Sequence, residues 1–363
     1  MQKNEKQINF LISAYTGLGN FILKTPMIKK IKELYPNSKI DIICGNKFGV
    51  EFVLKKGNLI DNIIVIDEKK NLIKQIFSLL KLKKKYDVFF LPFDAQPVFL
   101  DLFSFLFAKE KYKHFYVPKN FKNKVKLLLR IFLGKAHLVP VLGGRHEIDL
   151  NYDLLEYYIN KPFSFEREYK TIVDFEKNDE VLKKFNLKKN CYIVLQIGAA
   201  NGLKSAKKWK RENFEKLIYK LNSSLKNYKV VLVGDKGDYE NDIKPLEKNK
   251  NIEFVNTAGL TTINEVANIL YYSKVVVAHD SGIMHLANAL NCNLIALFGP
   301  TDCSRTKPIG KNVSILYSYT DCFAKMYNFN TTEFDLLNKY TNCMDGILVE
   351  DVYNEILKKV DCK

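Results

Sequence analysis

The sequence predicts an α/β protein built from two doubly wound, Rossmann-like domains with a cleft between them. Three observations carry this. Short apolar strand signals alternate with helical segments, and the alternation occurs twice. A charged stretch with no clear strand signal, Asn160–Asn190, separates the two runs. The apolar runs are near-continuous rather than alternating, as in strands of parallel sheets covered on both faces.

In the first run the strand signals are Ile8–Tyr15, Ile40–Cys44, Asn62–Asp67 and Tyr86–Pro92. Helical spacing lies between them, as in Met27–Tyr35, where Ile28, Ile31 and Leu34 share a face. In the second run the signals are Cys191–Ile197, Lys229–Val233, Ile252–Val255, Val275–Ala278 and Leu294–Phe298. The expected organisation is a domain over 1–165, a linker over 166–190, a second domain over 191–345 and a closing helix over 346–363. Ligands of such sheets bind beyond the carboxyl ends of the strands, so the strand-end loops are the places to search.

The 363 residues are 47% hydrophobic and 27% charged, which suits two cores and excludes a disordered chain. Seven scattered cysteines without a CxxC pair argue against a zinc ribbon or a disulfide framework, and point to a reducing cytoplasm. Cys303, Cys322 and Cys343 have no further ligand at metal spacing, so no metal is assigned to them. The polar start MQKNEKQ does not read as a signal peptide. Val98–Phe107 is apolar but short and holds Asp101, so it does not span a bilayer. Net charge is +17, with five arginines among the basic residues. A Lys-, Asn- and Ile-rich chain reflects coding bias, but bias acts on both halves alike. Residues 1–150 hold 27 basic and 13 acidic side chains, net +14; the remainder hold 30 and 27, net +3. The first half therefore faces something anionic.

Four loops are candidates for chemistry. At Val275–Pro300 a strand runs through His279 into Asp280, Ser281 and Gly282, and a helix starts near Ile283. Asp280 or Ser281 suits the N-cap, and the free N–H groups would face an anion such as a diphosphate, with His285 one turn on. Leu286 and Leu290 of that helix belong to the core. In Ile8–Tyr35, Gly17 and Gly19 allow a tight turn near a ligand, but the third glycine of a dinucleotide fingerprint is missing. In Gly198–Phe214, Lys204, Lys207 and Lys208 precede Trp209; a lysine there would neutralise a phosphate, or simply be solvated. Gly143–Asp149 gathers Arg145, His146, Glu147 and Asp149, which read either as an anion fork with a base beside it or as a helix cap. Residues 98–135 interleave aromatic and basic groups, and read as a surface on anionic headgroups or as two amphipathic helices.

Together these segments resemble glycosyltransferase family 9, the ADP-heptose:lipopolysaccharide heptosyltransferases. TGLGNFILKTPMIKKIKELYPNSKIDIICG is similar to the family's first strand, loop and helix, and KKWKRENFEKLIYKL to its Lys-x-Trp segment. Asp280–Leu286, with Phe298–Asp302 after it, is similar to its most specific signature, and CMDGILVEDVYNEIL to its Cys-Met and closing helix. The resemblance implies the two-domain GT-B fold, with the acceptor in the first domain and the nucleotide-sugar in the second. It implies inverting transfer of heptose from ADP-heptose to the inner core of lipopolysaccharide or lipo-oligosaccharide, with neither metal nor cofactor. The donor would meet Lys207, Asp280, Ser281, Gly282 and His285, with Asp235, Asp238 or Glu240 at the ribose. The acceptor, an anionic glycolipid, would meet Gly17, Gly19 and Arg145 at the inner face of the cytoplasmic membrane. Another sugar, a protein acceptor or a non-catalytic binding role would keep the same fold. No recognisable nucleic-acid-binding motif is present.

One position departs from the family. Its turn normally reads Gly-Asp, the aspartate being taken as the base that deprotonates the acceptor hydroxyl. Here Asn20 stands there, and an amide is too weakly basic for that task. Glu147, His146 or Asp149 would then serve, or Asn20 would orient an acceptor that ionises with little help.

Overall fold

The computed structural model describes residues 7–46, 48–54, 59–67, 69, 71–82, 85–95, 97–115, 136–141, 144–160, 165–198, 206–324 and 342–361. The chain divides into two compact units, Met1–Asp174 and Phe175–Lys363.

The first unit holds β1 (Asn9–Ser13), β2 (Lys39–Cys44), β3 (Asn62–Val65), β4 (Tyr86–Leu91), β5 (Ala108–Phe115) and β6 (Ala136–Pro140). They form one parallel sheet in the order β3-β2-β1-β4-β5-β6. Phe10 of β1 lies opposite Ile40 on one side and Val88 on the other, and Phe10, Leu11 and Ile12 are wholly buried. A strand flanked by strands and covered on both faces leaves no side for water, which explains its unbroken apolar run.

The second unit holds β7 (Tyr192–Gln196), β8 (Lys229–Val233), β9 (Val255–Asn256), β10 (Val275–His279), β11 (Leu294–Phe298) and β12 (Val313–Tyr317). Its sheet is also parallel, in the order β9-β8-β7-β10-β11-β12. Numbered within each unit, both sheets run 3-2-1-4-5-6. The order reverses between the first and fourth strands, β1 and β4 or β7 and β10, and ligand crevices of doubly wound sheets open at that point.

Three strands carry no clear signal in the sequence. β5 reads AKEKYKHF, yet Lys111 and Lys113 are buried. Both reach Asp101, at 2.8 Å to Oδ1 and 2.7 Å to Oδ2. Burial works to raise the Asp101 carboxyl, but the two ammonium groups outweigh it and hold the group below the usual carboxylate range. The strand is thus legible only once its charges have a partner. β6 and β12 are short and partly exposed. Residues 98–115, expected to face a membrane or to lie in amphipathic helices, form the helix Val98–Phe103, a 3₁₀ turn and β5; residues 116–135 lie outside the described ones.

The cysteine expectation needs one correction. Cys322 and Cys343 form a disulfide across a separation of 21 residues. The chain after β12 returns to the loop after β11, where a Cβ on Gly299 would lie 2.6 Å from the Cys343 carbonyl oxygen. This tertiary return, invisible in cysteine spacing, brings the thiols together. Among the described residues no helix is long and apolar enough to cross a membrane.

Candidate active site

At the switch point of the second unit, β10 ends in His279 and the chain passes through Asp280 and Ser281 into the helix Gly282–Ala289. Ser281, not Asp280, is the N-cap: its Oγ accepts from Met284 N at 3.4 Å and donates to Gln196 Oε1 at 3.0 Å. Gln196, the last residue of β7, also accepts from His279 N at 3.1 Å, so both strand ends are tied together. Asp280 is left to pair with Lys207, its Oδ2 lying 2.8 Å from Nζ. His285 Nε2 lies 3.9 Å from Asp280 Oδ1. Burial would raise the Asp280 carboxyl, but Lys207 and His285 overcome it and keep the group below its ordinary value.

Lys207 is fixed in place through Trp209, two residues further along the chain. Trp209 N donates to His279 Nε2 at 2.9 Å, and Trp209 Nε1 donates to Ile347 O at 2.9 Å. The indole packs edge-on against Phe214. His279 is fully buried, and burial pushes its pKa down to about 4, so the imidazole is neutral and accepts. Lys207 keeps 13% of its side chain exposed. Lys208 is paired with Asp242 at 2.6 Å, and Lys204 lies outside the described residues. Asp235 caps the short helix Lys236–Asp238, and Asp238 closes the reciprocal bond. Of the expected acids it is Asp238 that reaches the end of β7, since a Cβ on Gly198 would lie 1.8 Å from its Oδ1. Burial raises the Asp238 carboxyl. Glu240 is paired with Lys244.

At the switch point of the first unit, β1 leads through Thr16, Gly17 and Gly19 to Asn20 in the helix Leu18–Ile22. Gly17 is its N-cap, with extended backbone. A cavity of about 160 Å³ lies at this loop, lined in part by Tyr15, Gly17, Gly45 and Gly49. The sequence reading overlooked Asp94, on the loop after β4. Its Oδ2 lies 2.5 Å from Lys24 Nζ and accepts from Thr16 Oγ1 at 2.7 Å. Lys24 Nζ also donates to Asn20 O at 3.3 Å. Burial would raise the Asp94 carboxyl; Lys24, Thr16 and Asn20 together keep it below its ordinary value. The loop is pinned by Ser13 Oγ, which donates to Ala95 O at 2.6 Å, and by His114 Nδ1, which accepts from Phe93 N at 2.8 Å. No sequence spacing links residues 20 and 94; only the adjacency of β1 and β4 does so.

The Gly143–Asp149 segment is occupied elsewhere, and Gly143 itself lies outside the described residues. His146 is the N-cap of the helix Glu147–Ile159, its Nδ1 accepting from Ile148 N at 3.2 Å. Glu147 is buried. Arg145 pairs with Asp153 at 2.8 Å, while Arg167 bridges Asp149, Asp153 and Glu156. The structure does not bring these residues to Asn20 through any direct bond among those seen. Among the described residues no group of three or more His, Cys, Asp or Glu is placed to hold a metal ion.

Two Rossmann-like units, each with its candidate loops at the switch point, have the make-up of the GT-B fold. Residues 121–333 match the model of glycosyltransferase family 9 (heptosyltransferase), and the chain belongs to that family. It is similar to lipooligosaccharide heptosyltransferase 2 of Campylobacter jejuni, at 25% identity over 94% of this chain and 96% of that one. Among solved structures it is similar to a family 9 glycosyl transferase of Veillonella parvula, with a TM-score of 0.76, 18% identity and 98% of each chain covered. It is also similar to the E. coli ADP-heptose lps heptosyltransferase II, with a TM-score of 0.70, 19% identity and 98% of each chain covered.

Proposed function

We propose that the protein transfers heptose from ADP-heptose to the inner core of lipopolysaccharide or lipo-oligosaccharide, with inversion and without a metal. The observation that carries this reading is the group at the second switch point. Lys207 and the amide donors at the start of a helix capped by Ser281 lie where a diphosphate would sit, with the His285 ring beside them, and Gly282 leaves its backbone approachable. In the reaction an acceptor hydroxyl oxygen attacks the anomeric carbon as the bond to the β-phosphate oxygen breaks. ADP leaves with the bonding pair, and that growing charge falls to Lys207 and the helix start. Asp280 orients Lys207, and Asp238 or Asp235 is available to the ribose.

The acceptor's proton must go to a base, which Asn20 is not. We assign that role to Asp94, a carboxylate held ionised by Lys24, whose ammonium also donates to the Asn20 carbonyl. An aspartate at position 20 would set two carboxylates against one another, whereas a neutral amide there adds no like charge. Asn20 is thus a positioning residue. Glu147 and His146 serve this role less well, because His146 is engaged as a cap. The net +14 of residues 1–150 supports an anionic glycolipid acceptor met at the inner face of the cytoplasmic membrane.

The test is ADP release by the purified protein given ADP-heptose and a heptose-deficient core acceptor. Release that depends on the acceptor is expected. Saturable ADP-heptose binding without release, across a panel of core acceptors, would reduce the protein to a binding role.

A further inference from the structure

Among the described residues of the first unit, the helix Leu72–Leu80 exposes several large apolar side chains. This helix turns Leu79 inward, and Gln75 with it. Yet its outer side is apolar too: Leu72 is 53% exposed, Ile73 61% and Phe77 63%. Ile73 and Phe77 are four residues apart and so lie one above the other. The helix packs against Val98–Phe103, and there Val98 is 56% exposed, with Phe105 just beyond it at 53%. A surface helix normally turns charge to water, so an apolar outer face calls for something to cover it.

The flanking charge states what kind of cover. Residues 69–85 contain seven lysines and no acidic residue. Of these, Lys69, Lys74, Lys81 and Lys85 are described, and all four are exposed. A second copy of this chain would bring seven like charges against seven, which disfavours self-association through this face. An anionic bilayer satisfies both features, because acyl chains accept the apolar side chains while acidic headgroups meet the lysines.

We propose that the helix Leu72–Leu80 docks the protein on a bilayer of acidic phospholipid, with Ile73 and Phe77 entering the interface and Lys74 and Lys81 at the headgroups. This rests in part on the reading above, since a membrane glycolipid acceptor gives docking its purpose. The Asn71 side chain caps the helix by accepting from Ile73 N at 2.8 Å, so the segment is structured before it meets the lipid. Its helical state requires no ordering on contact, unlike that of a disordered basic tail.

The experiment is vesicle co-sedimentation of the full chain with phosphatidylglycerol-containing vesicles and with pure phosphatidylcholine vesicles. Wild type is expected in the pellet only with the acidic lipid, and release is expected as salt rises. Ile73→Glu/Phe77→Glu and Lys74→Glu/Lys81→Glu should each lower partitioning about tenfold or more. Tyr219→Glu, an equally exposed position in the second unit, should leave it unchanged. All substituted side chains are exposed, and circular dichroism checks that each variant folds. Turnover separates this proposal from the function it rests on. The Ile73/Phe77 variant should lose activity on vesicle-embedded acceptor while keeping it on a detergent-free, delipidated core oligosaccharide. Absence of ADP release with both acceptors from wild type would sink the functional reading and leave docking standing on the pellet result. Equal pelleting of wild type and both double variants would overturn docking. So would a change of oligomeric state in the Ile73/Phe77 variant with vesicle binding intact, which would make the face a contact between copies.

Discussion

In the first unit, Lys24 from the segment after the first strand meets Asp94 from the loop after the fourth. The second unit repeats the arrangement with Lys207 and Asp280. Each loop is also pinned by a buried imidazole that accepts a backbone N–H, His114 from Phe93 and His279 from Trp209. The surroundings differ. Lys24 is wholly buried, whereas Lys207 keeps 13% of its side chain exposed. Asp94 leads into a six-residue helix that begins after Pro97 without a side-chain cap. Asp280 leads directly into an eight-residue helix capped by Ser281, with amide donors at its start. One scaffold therefore holds a closed lysine–aspartate pair at one switch point and, at the other, a partly exposed lysine beside a capped helix start. This contrast suits a proton in the first unit and a diphosphate in the second.

The most severe test of that contrast is Asp94→Asn. Loss of the base should lower kcat by about 10²–10⁴-fold with little change in donor KM. Because it also strands a buried ammonium, Lys24→Met should be added to it. The double variant is expected to regain thermal stability without regaining kcat; recovered activity would make the pair a structural anchor. Asn20→Asp sharpens the same point, since a second carboxylate raises the apparent pKa of the pair and moves the acid limb of the rate profile to higher pH.

Lys207→Ala comes next. Removing one stabiliser of the leaving group should cost about 10²–10³-fold in the rate of ADP release, and stability at neutral pH should fall as well, because the buried Asp280 carboxylate loses its partner. A variant as active as wild type would show that the open lysine of the second unit has no part in the chemistry.

The smallest effect concerns the imidazole that pins the Lys207 segment. The folded-state pKa of His279 is about 4, against 6.5 in the unfolded chain. As pH falls below 6.5 the unfolded state takes up the proton first. Its contribution is therefore complete above pH 6.5 and is lost on the way down to about pH 4, a difference of about 3 kcal/mol. Denaturant unfolding of wild type and His279→Gln at pH 7 and pH 4.5 checks this; the variant should lose less stability between the two.

Most of the fold was legible because parallel strands buried on both faces are apolar along most of their length, as β1, β4, β7, β10 and β11 are. β5 was not, because Lys111 and Lys113 look like surface charge until Asp101 is seen beside them. At the second switch point Asp280–Gly282 is a strand-to-helix turn written in adjacent residues, whereas Lys207, 73 residues away, joins it through the pairing of β7 with β10. Asp94 lies 74 residues from Asn20 in a loop with no motif, and the disulfide partners were equally silent.

Sequence by itself determined the two doubly wound units, the family, the helix start after Asp280–Ser281 and the basic bias of the first half. All of these depend on neighbours along the chain or on sums over it. Tertiary structure alone decided that Asp94 stands beside Asn20, that Asp238 reaches Gly198, and that Ile73 and Phe77 point outward. Those facts depend on which strands are neighbours and which face a helix turns to the sheet, and the packing of distant segments sets both.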